Sequence, residues 1–254
     1  MVGIPDVMSL KGRVAVVTGA GRGIGCATAR ALARAGASLA LVDRDAALVT
    51  RTAEQIGLEG GEALPFTNDV TDAFAVERSF DRVVEEWGRL DILVNNAGAL
   101  REAPLDDLSE DDLHDMMDVN LRGAMVCARA AMPHMVARHH GRILSASSVS
   151  TRLGTRGLTA YSAAKAAVVG MTRTWARELG PLGITANVVA PGLIDSETVR
   201  SVPAEELEST LARIPARRLG TPEEVAAVYL FLASDLASFV NGAVISVDGG
   251  LLLY

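Results

Sequence analysis

The sequence predicts an α/β fold: a single doubly wound domain of about seven parallel strands with helices on both faces. Three observations carry that reading. Strand-like runs alternate with helix-like runs along the chain, with no fixed repeat period. The strand-like runs are almost continuously apolar, as expected when both faces of a sheet are covered. No Pro/Gly/Ser-rich linker divides the chain, and 254 residues suit one large domain.

The elements follow in order. Residues 13–18 (RVAVVT) form a β-branched run ending at glycines, and 27–35 read as a helix stopped by Gly36. Residues 38–43 (SLALVD) are a second strand, followed by a helix near 45–56. A weaker strand at 62–67 precedes a helix at 72–87, where Phe74, Val76, Phe80, Val83 and Val84 fit a helical period. Residues 90–95 (LDILVN) are a fourth strand. Ser109 caps a long helix that Pro133 should kink or end. Residues 142–147 are a fifth strand, 158–179 an alanine-rich helix and 184–190 (ITANVVA) a sixth strand. Pro222 opens a helix through Leu232, and 243–247 are the last strand. The polar stretch 195–218, with Pro203 and Pro215, interrupts the alternation and reads as a mobile flap.

Composition excludes several classes. Two cysteines, Cys26 and Cys127, cannot build a disulfide framework, and both read as core residues. The four histidines lack metal-ligand spacing, and His139-His140 reads as a solvated turn. A net charge of −7 is the wrong balance for a duplex nucleic-acid binder. No apolar run reaches the roughly 18 residues of a membrane span, and the N-terminus lacks the pattern of a signal peptide. The expectation is a cytoplasmic protein with no membrane or nucleic-acid partner.

Chemistry in such a fold lies beyond the carboxyl ends of the strands. The first strand runs into Thr18-Gly19-Ala20-Gly21-Arg22-Gly23-Ile24-Gly25. Gly19, Gly23 and Gly25 leave no side chain between backbone and ligand, and the next helix points its positive end there, which suits a pyrophosphate. The spacing is GxxxGxG rather than the better-known GxGxxG. Asp43 ends the second strand, 18 residues after Gly25, where an acid accepts hydrogen bonds from ribose hydroxyls and repels a 2′-phosphate. That favours NAD. Arg22 and Arg44 could each meet a phosphate, so NADP stays open.

Tyr161 and Lys165 lie four apart, on one face of a helix, and Ser148 follows the fifth strand. A free phenol has a pKa of about 10, and a neighbouring ammonium should lower it. Ser148 would hold a carbonyl oxygen while the phenol passes a proton.

These residues together identify a resemblance. TGAGRGIG (18–25), NNAG (95–98), Ser148, YSAAK (161–165) and PG (191–192) stand in the order and spacing of the classical short-chain dehydrogenases/reductases, over nearly the whole chain. The resemblance implies a Rossmann fold and a nicotinamide cofactor. It implies that Asn120 orients a water relaying protons to Lys165, and that Lys165 binds the nicotinamide ribose and tunes Tyr161. It places Gly21, Ile24 and the other residues of the glycine-rich turn on the cofactor, Asp69 and Val70 at the adenine, and Asn96, Ala97 and Gly98 along the dinucleotide. Pro191, Gly192, Ile194 and Ser196 meet the carboxamide, Ser196 standing where threonine is usual. Ser145 stands where many members have asparagine. The segment 239–250 resembles one that packs at subunit contacts, and the apolar tail 251–254 would be odd exposed on a monomer, so a homotetramer is implied.

The expected function is hydride transfer between NAD(H) and a secondary alcohol or ketone. A 3-oxoacyl-[acyl-carrier-protein] reductase using NADPH is the alternative, disfavoured by Asp43 and by the acidic surface an acidic carrier would meet. A non-catalytic dinucleotide-binding regulator would not need the phenol. Thr151, Leu153, Leu158 and Leu193 suggest a mixed or apolar substrate pocket, walled by the flap and by 151–159.

Overall fold

The computed structural model describes residues 8–196, 199 and 204–253. Seven strands form one parallel sheet: β1 (Val14–Thr18), β2 (Ser38–Asp43), β3 (Glu62–Thr67), β4 (Ile92–Asn95), β5 (Gly141–Ala146), β6 (Ile184–Pro191) and β7 (Val244–Val247). Their spatial order is β3-β2-β1-β4-β5-β6-β7, each pair parallel. The order reverses between β1 and β4, which opens a crevice at their carboxyl ends.

Alternation along each strand divides the core into two layers. Ala15, Val17, Leu39, Leu41, Ile92 and Val94 pack on one face with α1 (Gly23–Arg34), α2 (Ala46–Leu58) and, among the later helices, Pro222–Ala233. Val14, Val16, Ala40, Val42, Leu93 and Ile143 pack on the other with α3 (Ala73–Trp87), α5 (Gly123–Val136) and α7 (Thr159–Leu179). The remaining helices are α4 (Glu110–Met117), the single turn α6 (Ser150–Leu153), α8 (Ala204–Leu211) and α9, the Pro222–Ala233 helix already placed. Among the described residues, no helix is long and apolar enough to cross a membrane.

Three departures from the sequence reading have physical causes. Pro133 does not end its helix; α5 continues to Val136. A proline beyond the first turn of a helix removes one i→i−4 hydrogen bond, and here only the last three residues follow it. The break comes earlier, as a π-helical turn at Asp118–Arg122 between α4 and α5. Phe74 points to solvent and carries the Arg78 guanidinium 5.6 Å from its ring centroid, while Val76, Phe80 and Val83 fill the core. The stretch 195–218 holds α8 and is flanked by a parallel bridge between Ile194 and Gly220; residues 197, 198 and 200–203 of that predicted flap lie outside the described residues.

His140 is the third. It is not solvated: both ring nitrogens are buried without a hydrogen bond. The ring sits in a charged cluster at the amino ends of the strands. Asp91 there is fully buried and takes hydrogen bonds from Val14 N at 2.9 Å and from Arg89 Nε and Nη2, both at 2.6 Å. Burial raises the Asp91 carboxyl, but the Arg89 and Val14 hydrogen bonds outweigh it and hold the group below its usual range. Burial, then the Arg13 and Arg142 guanidiniums, push His140 down to about 4, against the pull of Asp91 and Asp235. The contacts to Asp91 at 3.7 Å and Asp235 at 4.0 Å are therefore not ion pairs at neutral pH. Linkage fixes the sign. A neutral folded imidazole stabilises fully above its unfolded pKa near 6.5, and that stability is lost as pH falls toward 4, in total about 3 kcal/mol. Urea midpoints should drop between pH 7.5 and 5.5, and H140Q should flatten the drop. An equally steep variant would take His140 out of the cause.

Candidate active site

The carboxyl ends of β1, β2 and β4 build the first part of the site. Gly19 and Gly25 approach other backbone too closely for any side chain. A Cβ on Gly25 would lie 2.0 Å from Gly19 O, and one on Gly19 would lie 2.9 Å from Ala97 Cα. Asn96 locks the turn, donating from Nδ2 to Thr18 O at 3.1 Å and Gly19 O at 3.2 Å. Thr18 was not singled out in the sequence, yet its Oγ1 accepts from Asn96 N at 3.1 Å and Ala97 N at 3.0 Å, tying β1 to the loop after β4. The only signal was its place at the strand end before the glycines.

Helix α1 starts at Gly23, followed by Ile24 and Gly25, with neither a capping side chain nor an acid in its first turn. By contrast, α2, α3, α4 and α9 are capped by Asp45, Asp72, Ser109 and Thr221. An uncapped positive end facing a glycine turn is a receptor for an anion.

An open groove of about 240 Å³ runs from there across the sheet edge, lined by Gly19, Arg22, Asp43, Arg44, Asp69, Val70, Asn96, Ala97 and Gly98 among others. Asp43 closes it at β2. Its Oδ2 accepts from Gly21 N at 2.9 Å and its Oδ1 from Asp45 N at 3.1 Å. Each oxygen keeps acceptor capacity, so two backbone donors orient the carboxylate without exhausting it. Asp69 Oδ1 is held by the Thr71 N–H and hydroxyl at 2.8 and 2.7 Å, and Val70 is buried.

The groove ends at Gly98. A Cβ there would meet Asn120 Oδ1 at 2.7 Å and Lys165 Nζ at 3.2 Å, so both polar atoms crowd this glycine. The π-helical turn sets Asn120. Its Nδ2 donates to Ala99 O at 2.9 Å and Met116 O at 3.0 Å, leaving Oδ1 buried and without a partner. Single π-turns inside helices recur at functional sites.

Ser148, Tyr161 and Lys165 come together beyond β5. Ser147 Oγ donates to Lys165 O at 2.9 Å, fixing α7 against this loop, and Ser150 N donates to Ser148 Oγ at 3.2 Å. Lys165 is 4% exposed; its Nζ donates to Ala146 O at 3.1 Å and lies 5.8 Å from the Tyr161 ring centroid. Burial brings the ammonium down to about 8. Burial likewise raises the Tyr161 phenol, and its hydrogen bond with Ser148 offsets part of the rise. The expectation that the ammonium depresses the phenol is thus reversed for the chain alone. The cation is weakened by the same desolvation that disfavours the phenolate.

The segment after β6 lies alongside. Pro191 and Ile194 are buried, Gly192 N donates to Val247 O at 2.9 Å, and Ser196 Oγ accepts from Val199 N at 3.4 Å. Leu158 is buried and bridges to Ala103, while Leu153 and Leu193 pack in a small apolar cluster. Cys127 is fully buried, its thiol pushed up to about 12 by desolvation; Cys26 is half-buried.

The donor set fits a dinucleotide: an anion-accepting turn that a Cβ would fill, an oriented acid, and the orphaned Asn120 Oδ1 at the far end. A half-buried phenol and a buried ammonium together beside such a groove are the equipment of a dinucleotide-dependent oxidoreductase. Comparison with known proteins narrows this class. A family model described as "Enoyl-(Acyl carrier protein) reductase" matches residues 19–252. The 3-oxoacyl-[acyl-carrier-protein] reductase FabG of Thermotoga maritima is 41% identical, covering 97% of this chain and 100% of its own. The cis-4-hydroxycyclohexanecarboxylate dehydrogenase of Sinomonas cyclohexanicum is 43% identical over 94% of this chain and 96% of its own. The crystal structure of a gluconate 5-dehydrogenase from Burkholderia cenocepacia J2315, in complex with NADP and tartrate, superposes with a TM-score of 0.94 at 39% identity, covering 98% of each chain. The chain belongs to the short-chain dehydrogenase/reductase family and is a short-chain oxidoreductase.

Proposed function

We propose that the chain transfers hydride between NAD(H) and a small secondary alcohol or ketone, with Tyr161 as the proton-transferring group. The observation that carries this is the buried Lys165 ammonium, 5.8 Å from the Tyr161 ring centroid and crowding Gly98 at the end of the groove. The nicotinamide, when bound, supplies or accepts the hydride. Tyr161 hands its proton to the carbonyl oxygen in reduction and takes one back in oxidation. Ser148 holds that oxygen, and Lys165 together with Asn120 passes protons on to the phenol. Glycines 19, 21, 23 and 25 with Ile24 take the pyrophosphate, Asp43 the adenosine ribose, and Asp69 and Val70 the adenine. Asn96, Ala97 and Gly98 line the dinucleotide's path, and Pro191, Gly192, Ile194 and Ser196 the carboxamide. Residues 204–218, with α8, serve as a substrate wall.

Asp43 supports NAD(H): its oriented carboxylate would repel a 2′-phosphate at the groove's end. Arg22 and Arg44 line the same groove and favour a second reading, an NADPH-dependent 3-oxoacyl-[acyl-carrier-protein] reductase. Rates on a panel of ketones and secondary alcohols, ethyl acetoacetate included, with each dinucleotide decide between them. We expect KM for NADH about tenfold or more below that for NADPH, and a D43S variant that narrows the ratio to about twofold. A wild-type preference for NADPH would favour the second reading. The acidic charge and the exposed Leu236 and Phe239 before β7 support a cytoplasmic homotetramer with no nucleic-acid or membrane partner.

A further inference from the structure

Of the apolar tail 251–254, Leu251 and Leu252 do not stand out from the chain; Tyr254 lies outside the described residues. Leu251 is 9% exposed and Leu252 packs beside it, leaving Leu253 in solvent. The two leucines enter an apolar cluster separate from both main core layers: Val149, Leu153, Leu193, Leu211 and Ile214. Each partner comes from a segment next to the chemistry. Val149 follows Ser148 directly, Leu153 ends α6, Leu193 lies between Gly192 and Ile194, and Leu211 and Ile214 follow from α8.

The backbone around the tail is built to hold it there. Ala216 N donates to Gly249 O at 3.0 Å, and Val149 N donates to Pro191 O at 3.1 Å. The Asp248 carboxylate accepts from Gly250 N at 3.0 Å and Leu252 N at 3.1 Å, closing the turn on itself. The turn leaves no slack. A Cβ on Gly249 would lie 2.8 Å from Ile214 Cγ2, and one on Gly192 would lie 2.8 Å from Asp248 Cα. Gly249 and Gly250 both have positive φ, which only glycine adopts without strain. The tail therefore touches the Ser148 loop, the segment after β6 and the base of α8 at one point.

We propose that Leu251 is a positioning residue for substrate: the tail is a wedge that sets where Leu153, Leu193 and Leu211 stand, and so the width of the pocket facing Tyr161. This rests on the oxidoreductase reading above, which places the substrate beside those segments. The groove assigned to the adenosine and pyrophosphate is lined by none of the wedge residues, so the part of the dinucleotide that carries most of its binding contacts should be insensitive to the wedge.

The test is steady-state kinetics of L251A with ethyl acetoacetate, together with NADH affinity by fluorescence. KM for the ketone should rise about tenfold, with kcat within twofold and the NADH Kd unchanged, and L251M should restore KM to within about threefold of wild type. An unchanged KM, or an NADH Kd that weakens in step, overturns the proposal. If L251A does not fold, L251V carries the same test with a smaller shift in KM. Hydrogen exchange gives a readout independent of turnover. In the variant, amides of 211–217 and 149–153 should exchange at least about tenfold faster while those of β1 and β4 keep their wild-type rates. Equal rates everywhere overturn the wedge. A wild-type chain that turns over no carbonyl or alcohol defeats the oxidoreductase reading alone, because the exchange result stands without substrate.

Discussion

Replacing Tyr161 by phenylalanine should lower kcat about a thousandfold, the middle of the range for loss of a general acid, while leaving the dinucleotide Kd within about twofold. The ring keeps its packing on α7, and Ser148 keeps its place, because the serine is also fixed through Ser150 N. Only the proton is removed. With burial holding the phenol above its ordinary value, the wild-type reductive rate should stay flat through neutral pH and fall on the alkaline side, as Lys165, itself near 8, and then the phenol lose their protons. Oxidation should show the opposite slope, since it needs the deprotonated phenol. Stopped-flow absorbance at the reduced nicotinamide band, in both directions, gives both profiles. A Y161F enzyme that keeps a tenth of the wild-type kcat would remove the phenol from the reaction.

Much of this architecture was legible before any coordinates, for an identifiable reason. A parallel sheet covered on both faces must be written as short apolar runs, and its first βα turn must be written in glycine. Asn96 and Gly98 are legible only through the family resemblance of the NNAG run at 95–98. What escaped was whatever depends on a partner distant in sequence. Thr18 looks like the last residue of a strand until its hydroxyl is seen between two amides of the next loop. His140 looks like half of a polar turn, because nothing local shows that Asp91, Arg13 and Arg142 surround it. Phe74 satisfies the helical period but falls in the first turn of α3, ahead of the buried face that Val76 begins. The π-turn around Asn120 has no composition of its own, whereas Pro133 has a strong one and changes little.

The Tyr161–Lys165 pair shows a further gap between pattern and energetics. Spacing establishes that the two side chains share a helix face. It does not establish the dielectric they share. Proximity of a cation argues for a lower phenol pKa; burial argues for a higher one and weakens the cation as well. At 5.8 Å from ring centroid to ammonium, with Lys165 almost wholly enclosed, burial wins in the chain alone. A polar ligand at the groove's end would bring acceptors for the ammonium and shift the balance back toward charge.

The other large effect is expected from a single methyl group. G25A should weaken dinucleotide binding by at least about a hundredfold, or about 3 kcal/mol. The added Cβ would sit 2.0 Å from Gly19 O and 2.6 Å from Asn96 Nδ2. The first neighbour is backbone and cannot rotate away. The second is the amide that donates to Thr18 O and Gly19 O, so relieving the contact breaks the bonds that hold the turn. Either way the glycine turn opens, and the first-turn amides of α1 no longer converge on one anion. The same strain should lower folding stability by about 1–3 kcal/mol, as overpacking does elsewhere. G57A on α2 is the matched control: its Cβ meets nothing within 4 Å. There the alanine should raise helix stability by up to about 1 kcal/mol and leave binding alone. Fluorescence titration with NADH and thermal melts on the two variants measure both quantities. If G25A binds NADH as tightly as G57A, the pyrophosphate does not lie on this turn.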